Sequence, residues 1–393
     1  MKPQAITAIV LAAGYSSRMG AFKPLLRIGD KTVLERIIGL FREAGIGDVR
    51  VVAGHRAEEV IPRAEELGVR WILNEHFQDG MLSSVQAGVG SIGPDRDAFF
   101  LLPVDIPLVR THTVLKLKAA YGECGKGIVY PTFVGKRGHP PLIAARYSEE
   151  ILNWTGSGGL RSFLSRKESD AVNVAVPDEY IGLDMDTPAD YETILKKWAA
   201  YDIPSVPECM EVLKERDAVS GKLIAHSRRV AQVALIIGQA LNDRGSCLDP
   251  ALIRAAGLLH DMARDRPRHA STGGRILRDM GFPRVAEIVE QHMSVEIRAD
   301  RPVNERDVVA LSDKLVMGDV VVSLEDRFQT RLDRYSNDPD IRAAVSERLT
   351  HARRLRARIE DALGTSIDTV FSNRPEVRRE ARDEDLSVEI GRD

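Results

Sequence analysis

The chain has 393 residues, 44% hydrophobic and 29% charged, a balance that fits a soluble globular protein too long for one ordinary core, so two domains are expected. A formal net charge of −3 excludes bulk attraction for nucleic acid or an anionic membrane, so phosphate chemistry must rest on local sites. No apolar run reaches the ~18 residues that span a bilayer, and Cys124, Cys209 and Cys247, odd in number and without CxxC spacing, read as reduced thiols of a cytoplasmic protein.

The opening MKPQAITAIVLAAG lacks a small-residue cleavage site and reads as a buried strand over 5–12 rather than a signal peptide. Val33, Leu34, Ile37, Ile38 and Phe41 recur at helical spacing and predict a helix over 32–44. A strand over 49–53, a helix over 57–67, a strand over 70–73 and a helix over 83–89 come next. A strand over 98–104 runs straight into Asp105. This rhythm predicts an α/β Rossmann-like domain over 1–200, mostly a parallel sheet with helices on both faces. Ligands in such sheets bind beyond the carboxyl ends of the strands.

A helix over 189–199 closes that domain, and Pro204 and Pro207 break it. Beyond them almost no strand pattern is found. Helices are expected over 208–217, 221–241, 250–262, 271–280, 284–292, 305–318 and 338–363, an all-α domain spanning 201–372. Residues 373–393 are strongly charged and aperiodic, and are expected to form a disordered tail.

The string Leu11-Ala12-Ala13-Gly14-Tyr15-Ser16-Ser17-Arg18-Met19-Gly20, with Lys23 beyond it, follows the first strand. Gly14 and Gly20 permit backbone angles that a side chain forbids, small neighbours let amides approach a triphosphate, and Arg18 and Lys23 bring positive charge. The spacing of neither a Walker loop nor a dinucleotide fingerprint is present. Asp105 stands at a strand end, and Asp184 and Asp186 lie two apart, on one side of an extended segment. Carboxylates of this kind suit a hard cation such as Mg2+, with Asp105 and Asp186 as the expected pair and Asp184 as the alternative second ligand. Asp190 reads as a helix N-terminal charge.

The full string resembles the LAAGxSxRMG…K signature of the MobA-like nucleotidyltransferases, and within them the molybdenum cofactor cytidylyltransferases. The resemblance spans 5–195 and continues through NEHFQDGMLSSVQAG (74–88), PVDIP (103–107), GKRGHP (135–140) and LDMDTPAD (183–190). It implies transfer of CMP from CTP, or a nucleoside monophosphate from another NTP, to a molybdopterin-type acceptor. Leu11, Ala12, Ala13, Gly14, Arg18 and Lys23 would bind the nucleotide, and Gly80, Met81, Ser83 and Ser84 would line the base pocket, although the two serines also suit capping of the adjoining helix. Arg18, Lys23 and Asp105 would carry catalysis, with Asp105 and Asp186 on Mg2+. Arg137 and His139 would meet the acceptor. Ala13 goes with cytidine in this resemblance, and a second glycine there would go with guanosine. One departure concerns the acceptor: Gly156-Ser157-Gly158-Gly159 has Ser157 where the family's GDxG has an acid. A sugar phosphate or other small acceptor is therefore the alternative.

In the helical half, His226, His260 beside Asp261, His269, His292 and Asp313 form an ordered set. His260 and Asp261 end a strongly apolar helix, where buried ionisable groups need a partner, and histidine nitrogen with carboxylate oxygen suits Fe, Mn or Zn. The order H…HD…H…H…D over 208–335 resembles the HD-domain metal-dependent phosphohydrolases. The resemblance implies that His226, His260, Asp261 and Asp313 bind one metal and that His269 and His292 add ligands for a second. The substrate would be a phosphate ester or nucleotide. Arg264, Arg266 and Arg268 read as a solvated basic loop, with phosphate contact as the alternative. The other reading of this half is a ligand-sensing module without turnover. No nucleic acid and no membrane partner is expected; a molybdoenzyme or a second copy of the chain would be the macromolecular partner.

Overall fold

The computed structural model describes residues 4–215, 220–293, 295–298, 300–335 and 337–374. The chain divides into two compact units, Met1–Tyr201 and Asp202–Asp393. The expected tail over 373–393 lies, from residue 375 on, outside the described residues.

The first unit is built on an eight-stranded sheet. Its centre is Ile6–Ala12, buried along its whole length and paired in parallel with Asp48–Ala53 on one side and Ala98–Pro103 on the other. Arg70–Leu73 adds the parallel edge beyond Asp48–Ala53. On the far side, Leu142–Ala144 runs antiparallel between Ala98–Pro103 and Ile128–Phe133, and Ala171–Ala175 pairs in parallel with Ile128–Phe133. A continuous apolar run at Ile6–Ala12 is what a strand covered on both faces requires. The chain leaves it to the two sides in turn, which opens a crevice at the carboxyl ends of the central strands.

Helices on the two faces shield separate cores. Val33–Glu43 starts at a capping box in which Thr32 and Glu35 satisfy each other's backbone amides, a device worth about 1 kcal/mol. Pro188–Ala199 starts the same way on Thr187 and Asp190. Asp190 accepts from the amides of Asp186 and Thr187 at 3.1 and 2.7 Å, so it holds the preceding segment in place. The helix Thr111–Cys124 and the strands Ile128–Phe133 and Ala171–Ala175 are further elements of this layered unit. Their weaker periodicity gave no sequence expectation.

Among its described residues the second unit is helical apart from one small hairpin. Gly221–Asn242 runs through its core, with Pro250–Leu259 and Glu305–Lys314 packed against it. Gly257 permits the closest approach: a Cβ there would lie 2.6 Å from Ala231 Cα. The expected helix over 305–318 stops at Lys314. Val316–Met317 and Val320–Val321 then pair antiparallel about Gly318 and Asp319, with Gly318 at φ 64°. β-branched residues flanking a Gly-Asp turn favour a hairpin over a further helical turn. Leu324–Arg334 is a helix without a sequence expectation, because among its described residues only Leu324 and Phe328 are buried and its apolar stripe is short. Cys124, Cys209 and Cys247 are free thiols. No helix among the described residues is long and apolar enough to cross a membrane.

Candidate functional site

In the first unit the glycine-rich loop turns at Ser16 and Gly20, with φ of 55° and 66°. The Ser16 hydroxyl accepts from the Lys23 amide at 3.3 Å and the Ser16 carbonyl from the Met19 amide at 3.1 Å, closing the loop on itself. Gly14 is not left-handed, contrary to the expectation that it supplies a special backbone angle; a Cβ there would meet nothing within 4 Å, so its contribution is open space beside its backbone. Leu11, Ala12 and Ala13 are buried at the end of the central strand. Gly54 presses against them from the neighbouring strand: a Cβ there would lie 2.7 Å from both Ala13 Cβ and Phe77 Cβ.

The loop sends Arg18 and Lys23 to the acidic groups. Lys23 is 8% exposed, and its Nζ lies 2.8 Å from Asp186 Oδ1 and 3.6 Å from Asp105 Oδ2. Arg18 reaches Asp186 Oδ2 at 2.7 Å. The Met185 amide donates to the Asp105 carbonyl at 2.8 Å, which fixes the segment 184–186 beside the Asp105 strand end, with Met185 buried between its two aspartates. Burial pushes the Asp105 carboxyl up; Lys23 opposes that rise, while Asp186 and Asp184 add to it. The Lys23 hydrogen bond holds Asp186 below the usual carboxylate range. Two carboxylates with this cationic partner form a group that a divalent ion suits, since it can take over the charge that Lys23 balances.

Gly80 is the N-cap of Met81–Gly90, at φ 94° and without a side-chain cap. The helix begins at Met81, so Ser83 and Ser84 lie in its first turn and do not cap it. They answer instead to Asn74, which is buried and whose Nδ2 donates to Ser83 Oγ at 2.9 Å and Ser84 Oγ at 3.0 Å. Asn74 Oδ1 accepts from the His76 amide at 3.0 Å. The sequence motifs include Asn74, Tyr15 and Phe77 but give them no individual role, and His55 lies outside them; the rings of Tyr15, His55 and Phe77 have centroids 5.0 to 6.1 Å apart. Polar or aromatic residues just past three successive strands were the available signal.

Arg137 and His139 are held differently from one another. The Arg137 guanidinium pairs with Glu168 at 2.5 and 2.9 Å, donates to Asn173 Oδ1 at 2.6 Å and lies over the Tyr130 ring. Its charge is already matched. His139 donates its amide to the Ile181 carbonyl at 2.7 Å; burial lowers its basicity, against the pull of Asp184. The GKRGHP and LDMDTPAD segments therefore meet.

In the second unit, five elements converge. His226 comes from Gly221–Asn242, His260 and Asp261 follow Pro250–Leu259, His269 opens His269–Asp279, His292 follows Pro283–Gln291, and Asp313 ends Glu305–Lys314. Two triads result: His226, His260 and Asp261, and Asp261, His269 and His292, each with ligand atoms within 4.8 Å of one another. Asp261 is common to both. Asp313 Oδ1 stands 3.5 Å from His226 Nε2 and 3.7 Å from His260 Nε2.

The outward nitrogens are fixed by backbone carbonyls. His226 Nδ1 lies 2.8 Å from the Gly318 carbonyl, His260 Nδ1 2.8 Å from that of Gly257, and His292 Nδ1 2.7 Å from that of Val289. Each Nδ1 therefore donates, which turns each Nε2 toward the cluster, where it can bind an ion once unprotonated. His260 Nε2 and His292 Nε2 are buried without a hydrogen-bond partner, a costly state that a metal ion removes. Burial disfavours ionised Asp261 and Asp313. His292 and His260 outweigh it for Asp261, and His226 and His260 for Asp313, so both carboxyls lie well below their ordinary range. The residues present fit one or two divalent ions.

Arg264 Nη1 lies 3.1 Å from Asp261 Oδ2. Arg266 approaches Asp265, and Arg268 is the left-handed residue before His269. Arg327 Nη2 sits 3.3 Å from Asp313 Oδ1; it and its neighbour Arg331 were missed because their helix was.

Comparison with known proteins matches these two constructions separately. Residues 8–172 match the MobA-like NTP transferase domain and residues 223–338 the HD domain. The molybdenum cofactor cytidylyltransferase of Escherichia coli (strain K12) is 28% identical over 195 residues, 49% of this chain and 97% of that protein. The nicotine blue oxidoreductase of Paenarthrobacter nicotinovorans is 29% identical over 194 residues, 46% of this chain and 92% of that protein. Among solved structures, Rv0371c from Mycobacterium tuberculosis H37Rv aligns with 49% of this chain and 98% of its own at 25% identity and a TM-score of 0.44.

Proposed function

We propose that this chain, which carries a MobA-like NTP transferase domain followed by an HD domain, transfers CMP from CTP to a molybdopterin-type acceptor and hydrolyses a phosphate ester or nucleotide at its second site. The observation that carries the first part is the Lys23 ammonium set between Asp186 and Asp105 at the mouth of the glycine-rich loop. A phosphate oxygen of the acceptor attacks the α-phosphorus of CTP, a new P–O bond forms, and the bond to the β-phosphate breaks to release pyrophosphate. Arg18 and Lys23 offset the charge gathering on the phosphates. Asp105 and Asp186 would hold Mg2+, which when bound supplies further charge neutralisation on those oxygens. Ala13, tight against Gly54, together with the cytidylyltransferase relative, supports cytidine as the base.

The second part rests on the two triads sharing Asp261. His226, His260, Asp261 and Asp313 would hold one Fe, Mn or Zn ion, and His269 and His292 would help hold a second; when bound, such ions activate water and clamp a phosphate. The histidines' Nδ1 contacts keep their rings pre-set for this.

The test is a paired assay on the full chain. Pyrophosphate release from CTP, not GTP, and only when molybdopterin cofactor is supplied, is the expected result. Turnover of a sugar phosphate instead would reassign the acceptor. For the second half, protein that holds no metal at the histidine cluster and is inert toward nucleotide and phosphodiester panels would make it a sensing module.

A further inference from the structure

The HD half carries more positive charge beside its histidine cluster than the cluster's own chemistry uses. Two cavities adjoin the site. One, of about 540 Å³, is walled by His226, Leu223, Met317 and Thr330 among others. The second, of about 480 Å³, includes Asp261, His269 and Asp313. Arg264, Arg327 and Arg331 line both, and Lys314 and Arg348 line the second.

Most of these cations are accounted for. Arg264 is matched by Asp261 and Arg327 by Asp313. Lys314 donates to the carbonyls of His292 and Ala310 at 3.2 and 3.0 Å and lies 3.9 Å from Asp313 Oδ2. Arg331 and Arg348 are different: among the described residues, neither makes an ion pair with a carboxylate. Glu347 lines the same cavity but is not paired with either. Both are exposed side chains on the cavity wall, where Arg327, Arg348 and Arg264 set like charge around Arg331 and Asp313 opposes it. Guanidiniums that repel one another around a cavity are stabilised by an anion placed among them.

The unmatched cations indicate which anion. A single phosphate at the cluster is served by the metal ions that the two triads would hold, with Asp261 and Asp313 as their counter-charges. Arg331 and Arg348 remain, and they call for a second anionic group a few ångströms further out. Arg327 and Arg331 are four residues apart on Leu324–Arg334, so they share one face and can grip adjacent phosphates in file. Met293, exposed in the second cavity, supplies apolar surface for whatever organic group lies beyond.

We propose that the HD half has a second phosphate subsite, formed by Arg331 and Arg348 with Arg327 at its edge, and therefore takes a phosphoanhydride: an organic molecule carrying two or more linked phosphates, its terminal phosphate at the histidine cluster. This rests on the reading of that cluster as a phosphohydrolase site. In the reaction, the oxygen of a water bonds to the terminal phosphorus and the bridging P–O bond breaks. The bridging oxygen leaves with the shortened organic phosphate, the water protons pass to the products and the medium, and orthophosphate is released. The transferase half works with the same compound class, since its nucleotide substrate and its pyrophosphate-linked product are both phosphoanhydrides.

The test is calorimetric titration of the full-length, metal-loaded protein against inorganic pyrophosphate and orthophosphate. The wild-type chain should bind pyrophosphate at least tenfold more tightly than orthophosphate. Arg331→Ala with Arg348→Ala should remove most of the part of that preference that belongs to this half, leaving orthophosphate binding, melting temperature and metal content unchanged. The change is read against wild type, so binding at the transferase loop is common to both. Arg331→Lys with Arg348→Lys, which keeps the charge, should restore part of the preference. Equal pyrophosphate affinity in the wild type and the alanine variant would overturn the subsite. If the preference falls as expected but the metal-loaded chain hydrolyses no phosphate compound, the subsite stands and the hydrolase reading fails. Hydrolysis of monoesters with no pyrophosphate preference sinks the subsite alone.

Discussion

Lys23 and Asp186 are 163 positions apart in sequence, yet the ammonium of one lies 2.8 Å from the carboxylate of the other. Asp105 comes within 3.6 Å of the same ammonium, and one side chain thus gathers the loop after the first strand, the end of the fourth strand in the chain's parallel series, and the segment before the last helix of the unit. Lys23 is buried, so the pairing is poorly screened and each member depends on the others.

Asp105→Asn should lower pyrophosphate release from CTP by on the order of 100-fold or more, the loss typical of one charge-stabilising group. The metal content of the histidine cluster should not change, because that cluster is built entirely from the second unit. Loss of both in a folded protein would show that the two sites are not independent.

Asn74→Ala removes the common donor to Ser83 and Ser84. Leaving the buried Ser84 hydroxyl without that partner should cost about 1–3 kcal/mol, measured by denaturant unfolding of the first unit. The KM for CTP should rise more than kcat falls, since the serines line the expected base site and touch no reacting atom. A fall in kcat with an unaltered KM would place them elsewhere.

His260→Ala should reduce metal affinity by more than the ~10–100-fold expected for a supporting contact, because His260 offers Nε2 directly to the cluster. Metal analysis after equilibrium dialysis reads this. Release of pyrophosphate by the transferase half should persist at the wild-type rate.

Gly257→Ala tests the frame around the cluster. The added Cβ would meet Ala231 Cα at 2.6 Å, forcing apart the helices that bring His226 and His260 together. Overpacking of this kind costs about 1–3 kcal/mol. The Gly257 carbonyl also accepts from His260 Nδ1, so metal affinity should fall along with stability. Unchanged stability would mean that the two helices slide apart freely.

Removing metal from the histidine cluster should lower the melting temperature of the second unit and leave the first unit's transition in place, read by scanning calorimetry before and after chelation. Without an ion, His260 Nε2 and His292 Nε2 stay buried and unpartnered, and binding to the folded state alone shifts the unfolding equilibrium. Identical scans would argue against any resident ion.

The order of residues alone discloses the alternation of apolar runs and amphipathic segments up to about residue 200, the helical character of most of the chain beyond that point, and which residue types stand ready for phosphate and metal. These are short-range properties: Ile6–Ala12 is apolar at every position because both faces are covered, and Leu252–Leu259 precedes His260 and Asp261 in one unbroken stretch. Packing in three dimensions settled the rest. Lys23 chooses between carboxylates that only the sheet order brings near it. Ser83 and Ser84 serve Asn74 rather than a helix end, because the Gly80 turn starts the helix two residues earlier. Gly318 turns a hairpin whose carbonyl orients His226, and Arg327 and Arg331 stand beside the metal cluster on a helix with too short an apolar stripe to announce itself. Contacts between residues far apart in the chain depend on how elements pack, and periodicity within one segment carries no record of its partner.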